Sequence, residues 1–187
     1  MMGMTRSMKT LAVIGLMLLL SPICAMAQGT TPTPTKKGSM AVSGNLGFTN
    51  AFDDDFDGLN PVLDGTFEYY FTDRFSLRGL LGYTSFEADH VDVEVDVIIL
   101  NANALYYWES GALRPFVTGG VGFYDTDPSG SDIHGGGDTE IGFNCGGGLD
   151  IFVQRDWAIK VEGTFHGFSS DGPDSFFSAT VGAKFQF

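Results

Sequence analysis

The sequence predicts an all-β fold: an eight-stranded antiparallel up-and-down transmembrane β-barrel, with short turns at one end and longer acidic loops at the other. Three observations predict it. Between Met40 and Phe187, eight segments of about ten residues alternate apolar and polar side chains, the period of an extended strand with two unlike faces. The connections between those segments alternate short and long. Aromatic residues on the apolar parity gather into two bands, one toward each end of the strands, as they do where amphipathic rings meet the two interfaces of a bilayer.

The first element is a leader. Arg6 and Lys9 precede an apolar run from Leu11 to Leu20, and the small residues Ala25 and Ala27 stand just before Gln28, so residues 1–27 read as a secretory signal peptide. The run is too short to cross a hydrocarbon core of roughly 30 Å as a helix. Ile23 occupies the place where a lipoprotein signal needs a small residue, so Cys24 is expected to leave with the leader. Cys145 then stands as the only cysteine, and no intramolecular disulfide is possible. Residues 28–37, rich in Thr, Pro and Lys and without periodicity, read as a disordered linker. Residues 38–187 form one barrel domain.

The strands follow in order. The first, residues 40–49, turns Leu46 and Phe48 outward. The second, 62–71, follows Pro61 and alternates into Glu68 and Tyr70 on the inward parity, ending at Phe71. The third, 75–84, sets Phe75, Gly79, Leu81 and Tyr83 outward and Arg78 inward. In the fourth, Val93–Tyr107, Val93, Val95 and Val97 share one parity whereas Ile98, Leu100, Ala102, Ala104 and Tyr106 share the other. That switch predicts a β-bulge near Val97. Strand five, 115–124, alternates Gly119, Val121 and Phe123 with Phe116 and Tyr124. Strand six, 140–152, puts Phe143, Cys145 and Gly147 outward, and the cysteine there reads as a small apolar residue. Strand seven, 157–166, alternates Trp157, Val161 and Phe165 with Lys160 and Glu162. Strand eight, 177–187, places Phe177, Ala179, Val181, Ala183, Phe185 and Phe187 on one face and Ser178, Thr180, Gly182, Lys184 and Gln186 on the other. An even strand count puts both termini at the short-turn end, the periplasmic side of such a barrel.

Charge follows the same map. Without Arg6 and Lys9 the chain has 8 basic and 23 acidic residues, a net charge of −15. Sixteen of the acids lie in or beside the four long loops, and no lysine or arginine does. Arg74, Arg114 and Arg155 stand at short turns. A nucleic-acid partner is excluded by that sign.

The charges left inside the strands have partners in the predicted hairpins. Folding strands two and three about Asp73 sets Glu68 opposite Arg78; folding six and seven about Arg155 sets Asp150 opposite Lys160; folding seven and eight about Pro173 sets Glu162 opposite Lys184. These six form an expected charge network in the lumen, which eight strands make just wide enough for side chains to fill. Folding the last hairpin about Gly172 instead would pair His166 with Ser178, beneath Asp171 and Asp174. The two registers exclude each other, and no catalytic residue is assigned. In the first long loop, Asp53, Asp55, Asp57 and Gly58 match the start of a calcium loop, but Pro61 interrupts it and no helices flank it, which leaves a weak calcium candidate. His90 and His134 lack zinc spacing. No cofactor is expected.

The segments YYFTDRFSLRGLLGYTSF, RPFVTGGVGFY and GGGLDIFVQRDWAIKVEGTFH, with the terminal GAKFQF, make the chain resemble small eight-stranded outer-membrane proteins of the OmpA-like and OmpW-like barrel group. The resemblance covers residues 38–187 and implies a Gram-negative outer-membrane protein embedded in lipid and lipopolysaccharide. It also implies that Val181, Ala183, Phe185 and Phe187 are read by the outer-membrane assembly machinery. The expected role is structural or surface-exposed, with a largely plugged lumen and acidic loops joined to lipopolysaccharide through divalent cations. The alternatives are a narrow porin or transporter for small or hydrophobic solutes, in which a side opening would need a gap in the wall with the bulge near Val97 as its candidate, and a lipid A modifying enzyme.

Overall fold

In the computed structural model, which describes residues 35–52, 58–87, 93–108, 111–130, 138–168 and 175–187, the chain is a closed antiparallel barrel. Its strands are β1 (Met40–Ala51), β2 (Asn60–Tyr70), β3 (Phe75–Glu87), β4 (Val93–Tyr107), β5 (Leu113–Gly130), β6 (Asp138–Phe152), β7 (Trp157–Phe168) and β8 (Ser175–Gln186). Each pairs with the next, and β8 returns to β1. Closure leaves no open sheet edge along the shared height of the wall, the condition for backbone to cross hydrocarbon. The wall runs higher on one side, because β3 and β5 continue to Glu87 and Gly130, beyond the ends expected from periodicity.

Local chemistry closes the short turns. Thr72 Oγ1 accepts hydrogen bonds from the amides of Arg74 (3.2 Å) and Phe75 (2.9 Å) between β2 and β3. Gly111 takes a φ of +61°, a conformation without steric penalty only for glycine, between β4 and β5. Val153 N donates to Trp157 O at 3.0 Å between β6 and β7.

The outward face is apolar. Leu46, Leu63, Leu81, Leu100, Val121 and Ile141 are all exposed. At the turn end they are bordered by Phe71, Phe75, Trp108, Trp157 and Phe187, and at the loop end by Phe48, Tyr83, Phe123, Phe143 and Phe177. Tyr69 and Tyr106 join the turn-end band through edge contacts with Phe71 (4.9 Å) and Trp108 (5.1 Å). Cys145 is exposed on this face.

Three expectations are corrected. There is no bulge at Val97: the β3–β4 ladder runs unbroken from Glu87↔Glu94 to Phe75↔Tyr106, and β4–β5 from Val93↔Gly130 to Tyr107↔Phe116. Val95, Val97 and Ile99 face inward while Ile98 and Leu100 face outward, so the parity never switches. What changes is the lumen, which is apolar near the loops and polar below. The β7–β8 register is also different. Glu162 faces Thr180 and Thr164 faces Ser178, so neither of the two expected hairpins forms. Closure selects this register. Met40 and Phe187 exchange backbone hydrogen bonds at 2.8 Å in both directions, and Gln186 N donates to Asp156 O at 2.8 Å, so the end of β8 is held by both neighbours. Pairing Glu162 with Lys184 would slide β8 along β7 by four residues and carry Gln186 away from Asp156. Finally, Thr35, assigned to the disordered linker, is buried against the barrel mouth.

Candidate functional site: the filled lumen

Alternate residues of all eight strands converge inside, and the lumen divides into layers. Nearest the turns, Arg114 of β5 lies 4.9 Å from the Tyr107 ring centroid and 5.9 and 5.8 Å from those of Tyr70 and Phe152. Its Nη1 donates to Thr35 Oγ1 and, at 3.4 Å, to Gln186 Oε1.

Above this layer come the six expected charges, all buried. The ladder sets Glu68 opposite Arg78 and Asp150 opposite Lys160, yet neither pair is joined by an ion contact. Arg78 instead reaches across the barrel to Glu162 with a two-pronged contact of 2.6 and 2.7 Å. Lys160 meets the same carboxylate at 2.7 Å. Lys184 lies 2.7 Å from Asp150 and 2.9 Å from Glu68, with the hydroxyls of Tyr70 and Tyr107 at 2.8 and 2.9 Å. Tyr107 and Ser76 donate to the other oxygen of Glu68. Two hubs result: an acid between two cations, and a cation between two acids. Cross-strand Cβ atoms lie side by side, but long side chains extend toward the axis, so their tips pass their ladder neighbours: Glu162 of β7 takes Arg78 from the opposite wall and Lys160 from its own strand, and Lys184 of β8 takes acids from two strands away on either side, Asp150 of β6 and Glu68 of β2.

Next is an amide and hydroxyl layer. Asn45 donates to Asp64, and Asn103 and Asn144 are in contact at 2.7 Å. Asn101 is buried here with neither side-chain atom partnered. Higher still, His166 bridges Tyr124 (OH to Nδ1, 3.0 Å) and Ser178 (Oγ to Nε2, 3.2 Å). The His166 ring stacks on Phe176 at 4.4 Å. The two residues meet diagonally, because Ser178 is level with Thr164 in the ladder. The top layer is a packed apolar cluster of Ala51, Phe86, Val95, Val97, Ile99, Tyr124, Phe168 and Phe176.

Sequence reasoning placed Arg114 at a turn, although it shares parity with Phe116, Thr118 and Tyr124, all inward residues. Asp64 and the apolar cluster were also missed, the latter because apolar residues were read as lipid-facing. The outward members of the terminal strand lie where alternation put them: Val181, Ala183 and Phe187 are exposed, with Phe185 between Phe187 (5.8 Å) and Trp157 (5.0 Å). Asp53, Asp55, Asp57, His90, His134, Asp171 and Asp174 lie outside the described residues.

Comparison with known proteins adds to this geometry. The outer membrane protein beta-barrel domain family matches residues 15–185. The chain belongs to that family. The barrel is similar to the N-terminal domain of Pseudomonas aeruginosa OprF, with a TM-score of 0.61 and 19% identity over 82% of this chain and 100% of that one. Neisserial surface protein A gives 0.64 and 13% over 80% and 99%. Pseudomonas aeruginosa OprG gives 0.64 and 13% over 84% and 99%. At these identities the likeness is one of fold. No curated protein matches by sequence. This outer-membrane barrel thus shares its fold with small eight-stranded barrels.

Proposed function

We propose that the protein is a structural, surface-exposed barrel of the Gram-negative envelope whose lumen is closed. The observation that carries this reading is the filling of the interior along its height: an arginine in an aromatic box, two ion hubs, an amide layer and an apolar cluster. An apolar constriction above paired charges opposes ion passage, since an ion entering it sheds its hydration without replacement. In this reading residues 1–27 are cleaved as a signal peptide and both termini lie in the periplasm. The acidic loops face outward, drawn to lipopolysaccharide phosphates by divalent cations, and the assembly machinery reads Val181, Ala183, Phe185 and Phe187.

A narrow porin would conduct through the lumen, which the layers of side chains fill, and a transporter with a side opening would need a gap in the wall, for which the unbroken ladders on both sides of β4 offer no support at Val97. The enzyme alternative has a serine and a histidine in contact, but both point into the lumen beneath the apolar cluster, away from a lipid substrate. Single-channel recording of refolded protein in planar bilayers tests the proposal. Closed lumens give no steady conductance steps; reproducible unitary steps from folded protein would refute it.

A further inference from the structure

The other lumen cations, Arg78, Lys160 and Lys184, each touch a carboxylate. Arg114 does not. Among the described residues its polar contacts are two neutral oxygens, Thr35 Oγ1 and Gln186 Oε1, and its Nη2 is buried without a partner. The rings of Tyr70, Tyr107 and Phe152 surround the guanidinium, and Thr35 covers the Nη1 edge of its fork. A buried cation with unused donors is unfavourable, and a guanidinium is completed best by two oxygens of one anion.

The residue covering that edge is hinged. Thr35 hydrogen-bonds Gln186 at 2.9 Å and precedes a turn in which Ser39 N donates to Lys36 O at 3.0 Å and Gly38 takes a φ of +93°. The barrel ladder begins only at Met40. Gly38 N donates to Tyr70 O at 2.8 Å and Tyr70 N to Ser39 O at 3.0 Å, so the segment is anchored to β2 from Gly38 onward. Thr35 withdraws by rotation at residues 36 and 37, giving up the Ser39 N to Lys36 O bond and its own side-chain bonds but none of the anchoring ones, and uncovers Nη1 beside Nη2.

We propose that Arg114 is a binding site for a small oxyanion, a phosphate or carboxylate group, and that Thr35 is its lid. The protein refolded in phospholipid-free zwitterionic detergent is titrated with inorganic phosphate against chloride at constant ionic strength. Amide and arginine side-chain NMR signals report binding. Saturable shifts are expected at Thr35, Arg114 and Gln186. Arg114→Gln should abolish them. Arg114→Lys keeps the charge but loses the fork and should weaken binding by about tenfold; it also carries the test if the glutamine variant does not fold. Thr35→Ala removes the lid's hydrogen bonds and should tighten apparent binding by about fivefold, because the open state is more populated. Nanodiscs of phosphatidylglycerol, without added phosphate, separate a lipid headgroup from a free anion: shifts there but not in micelles assign the headgroup as source. No shift in either medium, or equal shifts in Arg114→Gln, overturns the site. Unchanged affinity in Thr35→Ala overturns the lid.

Discussion

Glu162 and Arg78 differ in how many partners they hold, and that difference fixes the outcome of mutating them. Glu162 neutralises both Arg78 (2.6 Å) and Lys160 (2.7 Å), so Glu162→Gln leaves two cations facing each other in a closed interior. Removing one member of a buried pair typically costs about 3–5 kcal/mol, and stranding two charges places this variant at or above the top of that range. Arg78→Met leaves Glu162 still bound to Lys160, and should lose only about 1.5–3 kcal/mol, the worth of charge-assisted hydrogen bonds. A double-mutant cycle on Arg78 and Glu162 should therefore give a coupling of about 2 kcal/mol. The same cycle on Arg78 and Glu68, ladder neighbours whose side chains bond elsewhere, should give a value at least about 1 kcal/mol smaller. Equilibrium urea unfolding of refolded barrels supplies the free energies, with Trp108 and Trp157 at the turn-end band as fluorescent reporters. A larger coupling for Glu68 than for Glu162, or an Arg78→Met penalty matching Glu162→Gln, would refute the cross-lumen arrangement.

Further predictions concern the wall and its ends. The protein should fractionate with the outer membrane and migrate differently on gels before and after boiling; recovery in a soluble periplasmic fraction contradicts the assignment. In a Cys145→Ser background, Val97→Cys should resist a water-soluble thiol reagent in the folded barrel while Asp96→Cys reacts, since the first lies in the apolar cluster and the second accepts a hydrogen bond from Tyr83 on the outer surface. Equal reactivity would restore the bulge. Phe176→Ala should destabilise the barrel by about 3–5 kcal/mol, the usual result of emptying an aromatic site; a change under 1 kcal/mol, measured by the same unfolding assay, would mean the cluster is not packed. Phe187→Gln should slow assembly in cells, whereas Gln186→Ala should assemble normally and lose about 1 kcal/mol in vitro; equal assembly defects would count against an outward terminal signal.

What was legible in the sequence was whatever depends on the sign of a large transfer energy. An inward arginine or lysine moved to the lipid face is opposed by roughly 2–4 kcal/mol at the midplane and an acid by less, a penalty of one sign in every case, so alternation alone assigned Glu68, Arg78, Asp150, Lys160, Glu162 and Lys184 to the interior. Illegible was whatever depends on small differences between arrangements of equal parity. The expected and observed partners of Glu162, Lys184 and Thr180, both lie on the inward face, so hydropathy does not separate the two registers. They differ in a few hydrogen bonds at the seam, where β8 must meet Met40 on one side and Asp156 on the other. The reading of β4 failed for a related reason. Apolar side chains suit hydrocarbon and a dry lumen equally, so Val95 and Val97 carry no sign of which they face. The neighbours decide it: Phe86 and Phe176 arrive from β3 and β8 at the same height, an encounter that exists only once the barrel has closed.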